Sequence, residues 1–253
     1  MIPVAARKRT KKLQSVTQEP SATRDLPIVL TEVYQRLFQS YGPQGWWPGD
    51  GPLDVIIGAI LTQAAAWTNV EMAIANMKEA DCWSLEAIDS LPEEALGAII
   101  RPSGYFNAKA RKLKAFASHL RLNHAGNLGR MLYQDIGTLR DELLSVHGIG
   151  PETADDIVLY AAEKPSFVID TYTHRIAQRL GIAGDIPSNN YHRLQSVFQD
   201  NLPADAPMFN EYHALLDRHA KEACAKKPRC EGCCLLDMCD TGKQAVIPDQ
   251  QVD

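Results

Sequence analysis

Residues Val146-His147-Gly148-Ile149-Gly150-Pro151-Glu152-Thr153-Ala154 decide how this chain is built. The apolar run Leu143-Leu144-Ser145-Val146 precedes them, and Ile157-Val158-Leu159-Tyr160-Ala161-Ala162 follows. Helical patterning on both sides, two glycines between, and a proline at the first position of the second helix describe two helices joined by a tight turn. Glycine permits positive φ and lets other groups approach the backbone closely. Amides of the turn and of the new helix start then face outward, which makes a ready anion site. A plain αα-hairpin with a glycine turn carries the same pattern, so this segment alone leaves both readings open.

Helical signals continue outward in both directions. Ile28, Leu30, Val33, Leu37 and Phe38 form an apolar stripe that Gly42-Pro43 stops. Residues 53–63 are apolar nearly all round, as a core helix would be. Further helices are expected from Thr68 onward and at 84–90, 93–100, 107–122, 136–145, 152–163, 171–181, 190–200 and 207–222. Alternation of period two is absent. Phe167-Val168-Ile169 fits a short strand or an extended entry into the next helix equally well. The expected fold class is all-α.

The chain has 253 residues, enough to bury a core without disulfides, and a formal charge of −5. No apolar run approaches the ~18 residues of a membrane span, so no membrane partner is expected. Whole-chain acidity counts against a nucleic-acid partner, although binding depends on local patches. The N-terminal basic cluster Arg7, Lys8, Arg9, Lys11 and Lys12 is followed by polar residues rather than an apolar segment, so no secretory signal is expected. Residues 1–27 read as a flexible basic arm.

Five of the six cysteines lie between Cys224 and Cys239. Secreted disulfide frameworks are spread along a chain to tie distant loops. A local cluster points instead to a reducing compartment, cytoplasmic or nuclear, and to a metal or cluster site. Cys224-x5-Cys230-x2-Cys233-x5-Cys239 is a four-thiolate set that suits either a [4Fe–4S] cluster or Zn²⁺. Cys234 directly adjoins Cys233 and is expected not to be a ligand.

Asp170 follows Phe167-Val168-Ile169 and precedes Thr171-Tyr172-Thr173-His174-Arg175. One role for it is an ordinary helix N-cap. The same geometry also favours an ionised carboxylate, which can stabilise a developing cation or orient a water.

Val146 to Arg175, with its hairpin, its spacing of about twenty residues and its Val-Ile-Asp step, resembles the endonuclease III superfamily of helix-hairpin-helix-GPD DNA glycosylases. Gly58-Ala59-Ile60-Leu61-Thr62-Gln63, Ser103 to Ala110 and His219 to Cys239 resemble further segments of that family, so the resemblance spans roughly residues 28–240. It implies a two-lobed fold, a six-helix lobe at 51–164 carrying the hairpin and a helical iron–sulfur lobe from 28–50 plus 165–245. It also implies base-excision repair of damaged double-stranded DNA by a monomer, Asp170 as the catalytic carboxylate, a [4Fe–4S] cluster on the four cysteines, Gln63 filling the hole left by a flipped base, and Gly148, Ile149, Gly150 and Lys109 contacting DNA. A locally satisfied helix-end amide is the other role for Gln63. The basic stretches Lys109, Arg111, Lys112, Lys114 and Lys221, Lys226, Lys227, Arg229 are either phosphate contacts or solvated faces.

Two departures refine the expectation. Bifunctional members place a Schiff-base lysine two residues after the second hairpin glycine; here that position is Glu152, which cannot act as an amine nucleophile. A monofunctional glycosylase is therefore expected, with water attacking the sugar. Trp46-Trp47-Pro48, with Trp67, resembles the 3-methyladenine DNA glycosylases of endonuclease III type, whose aromatics hold a methylated purine. A packed structural corner is the alternative for these residues. A cationic purine gains ~0.5–2 kcal/mol from an indole face and ~1–3 kcal/mol from stacking. Such a base leaves readily, so one carboxylate suffices. Ala64-Ala65-Ala66 departs from the Asn-Thr that related sequences carry there. An enzyme for oxidised pyrimidines or mismatched bases, and a catalytically silent binder of damaged or abasic DNA, remain the alternatives.

Overall fold

In the computed structural model, residues 25–47 and 49–246 are described; residues 1–24 of the expected arm, Pro48 and residues 247–253 lie outside them. All regular structure among the described residues is helical. In chain order the helices are α1 (Leu26–Tyr41), α2 (Pro52–Leu61), α3 (Trp67–Glu79), α4 (Leu85–Ser90), α5 (Glu93–Ile99), α6 (Phe106–His124) and α7 (Leu128–Leu132). They continue with α8 (Ile136–Ser145), α9 (Pro151–Asp156), α10 (Thr171–Arg179), α11 (Tyr191–Gln199), α12 (Ala206–Glu222) and α13 (Asp240–Val246). The first helix opens at Leu26, slightly before the apolar stripe suggested, with a proline in its first turn. Helix α7 carries no extended periodicity and was not legible as an element.

Side-chain caps start most of the later helices. Asn127, Asp135, Asn190 and Asp205 each accept the amide three residues on, at 2.9, 3.0, 3.2 and 2.7 Å. Helix α2 is the hub of its region and packs against α3, α6, α9 and the turn that continues α9. Its seven consecutive buried residues, Val55 to Leu61, account for its all-round apolar sequence. Helices α1 and α10 both pack on α12, and α13 packs on α10. No helix among the described residues is long and apolar enough to cross a membrane.

Phe167-Val168-Ile169 belongs to no helix and pairs with no strand among the described residues. Side chains of α11 satisfy its backbone instead. Gln199 accepts from the Phe167 amide at 2.8 Å, Gln195 donates to the Phe167 carbonyl at 2.8 Å, and Tyr191 accepts from the Ile169 amide at 3.3 Å. Phe167 is fully buried and stacks on Phe198 with ring centroids 4.3 Å apart. Removing such a ring costs about 3–5 kcal/mol, so the segment delivering Asp170 is firmly anchored.

Helix α9 passes without a break into a wider π-turn, Ile157–Ala161, closed by the Ala162 amide on the Ile157 carbonyl at 3.0 Å. Such turns insert a residue and re-aim the side chains around them. Here the re-aimed residue is Tyr160, which the site uses.

Candidate active site and cysteine pocket

The hairpin forms as its glycines predicted. Gly148 has φ +85°, and a Cβ there would lie 2.3 Å from Lys112 Cγ, so both conformation and space require glycine. Ile149 is buried beneath the turn. Gly150 is exposed and leads into Pro151 at the start of α9, whose first amides have no partner within the helix.

Gln63 reaches this turn rather than projecting freely. Its amide nitrogen donates to the Gly148 carbonyl at 3.2 Å and to Thr153 Oγ1 at 2.9 Å, while its oxygen accepts from Lys112. Lys109 corrects the sequence reading, which placed it on DNA. It is 1% exposed, and its ammonium donates to the carbonyls of Leu61 and Ser103 at 2.8 and 2.6 Å. Burial, with a smaller contribution from Lys112, pushes its pKa down to about 8. The rest of that basic stretch is also largely engaged. Lys114 caps the carbonyls of Ile88, Asp89 and Leu91, and Arg111 pairs with Glu93 at 3.1 Å.

Asp170 caps α10, accepting from the Thr173 amide through Oδ1 at 2.6 Å. The other oxygen faces His213 Nε2 at 3.9 Å. His213, on α12, is buried, and its Nδ1 meets the Tyr160 hydroxyl at 2.5 Å. Tyr160 in turn lies against Trp47, with ring centroids 5.3 Å apart. Sequence reasoning found neither Tyr160 nor His213.

Asp170 and Glu152 line one open pocket together with Ile169, Thr171, His174, Ser188, Asn190 and Tyr191. Glu152 is solvent-accessible, yet protein crowds it from most sides, and this with the Asp170 carboxylate pushes its pKa up to about 7. Asp156, one turn further and buried, is raised well above the usual carboxylate range by desolvation and then by Glu152 and Asp170. The pocket therefore concentrates carboxyl groups and carries no lysine among its described lining.

The tryptophans sit apart from that pocket but are joined to it through Tyr160 and His213. Trp47 meets Trp46 and Trp67 edge-on, at centroid separations of 5.8 and 5.6 Å. It also packs on Gly58, where an added Cβ would approach Trp47 Cζ2 to 3.0 Å. Trp46 and Trp47 line a cleft with Val55, Leu159 and Tyr160, whereas Trp67 lines a neighbouring one with Asp54, Glu71 and Lys78. Pro48 lies outside the described residues. Lys221 Nζ stands 6.0 Å from the Trp46 ring.

None of the six cysteines forms a disulfide. Cys224, Cys230, Cys233 and Cys239 line one pocket with Arg179, Leu180, His219 and Leu235, while Cys234 is not part of that lining. Donors are aimed at three of the sulfurs. Arg179 donates to Cys224 Sγ at 3.1 Å, the Leu235 amide to Cys233 Sγ at 3.4 Å, and the Gly242 amide to Cys239 Sγ at 3.3 Å. Four thiols lining one pocket, three of them with N–H groups directed at sulfur, are a donor set that fits a thiolate-bound cluster. Arg175 and Arg179 also hold the Cys224 carbonyl, at 2.9 and 3.1 Å, and so tie this loop to α10.

A helical body that brings a glycine hairpin beside an aspartate at a helix start defines a class of DNA-acting protein, and comparison with known proteins gives the family. The family model of the HhH-GPD superfamily base excision DNA repair proteins matches residues 57–200, more than half of the chain, which belongs to that superfamily. It is a DNA glycosylase of base excision repair. A Methanocaldococcus jannaschii protein that bears the name of a DNA repair glycosylase is 41% identical over 213 residues, covering 83% of this chain and 96% of its own. Endonuclease III of Thermotoga maritima is 25% identical over 190 residues, covering 75% of this chain and 83% of its own. Among solved structures, the H. pylori 3-methyladenine DNA glycosylase bound to 1,N6-ethenoadenine aligns with a TM-score of 0.65 at 25% identity, over 78% of this chain and 98% of that one. A non-covalent endonuclease III–DNA complex aligns with a TM-score of 0.75 at 21% identity, over 87% and 97%, and shares the fold.

Proposed function

We propose that this chain is a monofunctional DNA glycosylase that removes alkylated purines, of the 3-methyladenine type, from double-stranded DNA. The observation that carries the proposal is the pocket shared by Asp170 and Glu152, in which a carboxyl group stands where a lysine nucleophile would be needed. The tryptophan group and the likeness to a 3-methyladenine DNA glycosylase of known structure support the choice of base.

In this mechanism the Gly148 and Gly150 amides hold a phosphate, the Ile149 amide being taken by the Val146 carbonyl at 3.1 Å, and a damaged nucleotide leaves the stack at a cost of a few kcal/mol. Stacking on the tryptophans selects the cationic base. The C1′–N bond breaks and its electron pair leaves with the base. Asp170 stabilises the positive charge that develops on the sugar, and a water adds its oxygen to C1′ and passes one proton to solvent, leaving a hydroxyl on C1′. Neutral purines are poorer leaving groups and are left in place.

Cys224, Cys230, Cys233 and Cys239 would hold a [4Fe–4S] cluster, which supplies a structural clasp for the tail rather than hydrolytic chemistry. The division into a lobe at 51–164 and a second from 28–50 plus 165–245 belongs to the same proposal, with the site between them and the chain acting as a monomer.

The test is release of free bases from methylated duplex DNA by the purified protein, followed by chromatography, with denaturing gels run before and after alkali. Release of 3-methyladenine with strand breaks only after alkali is the expected result. Breaks without alkali would overturn the monofunctional assignment. Iron and sulfide content of the same preparation distinguishes a cluster from zinc.

A further inference from the structure

Far from the cysteines in sequence, the C-terminal end of α6 and the face of α8 bring two imidazoles and a carboxylate together. His119 Nε2 and His124 Nε2 lie 2.6 and 2.5 Å from the same oxygen of Glu142, Oε1. One ligand atom from each of the three residues lies within 4.8 Å of the other two. His124 is the last residue of α6, and Ala125, with φ +53°, turns the chain away immediately after it. The side chains of His119 and Glu142 retain 20% and 17% exposure, so solvent reaches the group from one side.

Neighbouring amides hold the ligands in place. Gln134 donates to the other carboxylate oxygen of Glu142 at 2.5 Å, and Asn123 donates to His119 Nδ1 at 3.3 Å. The Gln134 bond fixes the carboxylate of Glu142, as outer partners do around bound metals, whereas the Asn123 bond holds the His119 ring in the metal-free form. His124 Nδ1 is buried without a hydrogen-bond partner, and only its Nε2 faces Glu142.

We propose that His119, His124 and Glu142 form a second metal site, for a divalent transition ion of the zinc class. Two imidazole nitrogens and one carboxylate oxygen suit Zn²⁺ or Co²⁺ and leave room for water at the remaining position. The site has no thiolate and is built from elements other than those that hold the cysteine pocket. Its role is structural. It joins α6 to α8, and α8 runs directly into the hairpin turn at Val146 to Gly150. A metal there fixes the helix that positions the phosphate-binding amides.

The probe is Co²⁺ or Zn²⁺ added to the full-length protein with its cysteine site occupied, compared with His119→Gln and Glu142→Gln. Glutamine can still hydrogen-bond at both positions, which preserves the fold. Elemental analysis after desalting should show one more equivalent of metal in the wild type than in either variant. The wild type should also show a visible Co²⁺ absorption band lacking thiolate charge transfer, and a melting temperature that rises with added Zn²⁺ because the ion binds only the folded chain. Either substitution should weaken binding at least 100-fold. Equal metal content and equal melting curves in all three proteins would overturn the proposal and leave the histidines as hydrogen-bond partners of Glu142 only.

Discussion

His213 Nε2 stands 3.9 Å from Asp170 Oδ2, across from the Tyr160 hydroxyl on its other ring nitrogen. Burial lowers the imidazole pKa below 6.5, with the Asp170 carboxylate opposing. The ring is therefore neutral in the folded protein and takes up a proton on unfolding once pH falls below 6.5. Its contribution to stability is fully present above that pH and is lost as pH falls through the window below it. Melting curves at pH 7 and pH 5 should show a smaller acid-induced loss for His213→Gln than for the wild type. An unchanged loss would remove His213 from the account of acid sensitivity.

Asp170→Asn separates the two roles of that residue. Asparagine caps a helix as well as aspartate does, so the Thr173 amide keeps its acceptor and stability should change by under about 1 kcal/mol. The side chain loses its charge, and base release from methylated DNA should fall by a factor of about 100 or more. Single-turnover assays beside thermal melts check both halves. Full activity in the variant would refute the mechanism.

Lys109→Met distinguishes a buried tie from a phosphate contact. Two buried carbonyls, those of Leu61 and Ser103, lose their donor, and each such loss costs about 1–3 kcal/mol. Denaturant unfolding should show a drop of about 2–6 kcal/mol. The slope of DNA affinity against salt should stay at its wild-type value, because no phosphate contact is removed. A slope reduced by about one would restore the DNA-binding role.

Gly58→Ala tests whether Trp47 belongs to the base pocket. Alanine favours the helix by about 0.5–1 kcal/mol, but its Cβ would press on the indole at 3.0 Å from Cζ2 and 3.3 Å from Nε1. Stability should stay near that of the wild type while release of 3-methyladenine falls several-fold and affinity for abasic DNA holds. Unchanged release would assign the tryptophans to packing alone.

Much of the molecule was legible because local chemistry dictated it. Gly148, Gly150 and Pro151 mark the hairpin through backbone rules that act within a few residues, and the cysteine spacing anticipated the four thiols that share a pocket without Cys234. Asp170 announced itself as a helix start. What the sequence hid depends on distant partners. Lysine is seldom buried, and nothing near Lys109 reveals that the Leu61 carbonyl, 48 positions away, receives its ammonium. Tyr160 and His213 meet across 53 positions, after a π-turn that no helical periodicity encodes.

Helix α10 has its first residue beside the candidate catalytic carboxylate, while Arg175 and Arg179 grip the carbonyls of Cys224, Ala225 and Lys226. On the ribosome, the hairpin and Asp170 emerge well before that loop does. A nascent chain thus carries its chemistry early but lacks the carbonyls that brace the helix beneath it. Those ties from Arg175 and Arg179 can form only once the Cys224–Lys226 loop has been made.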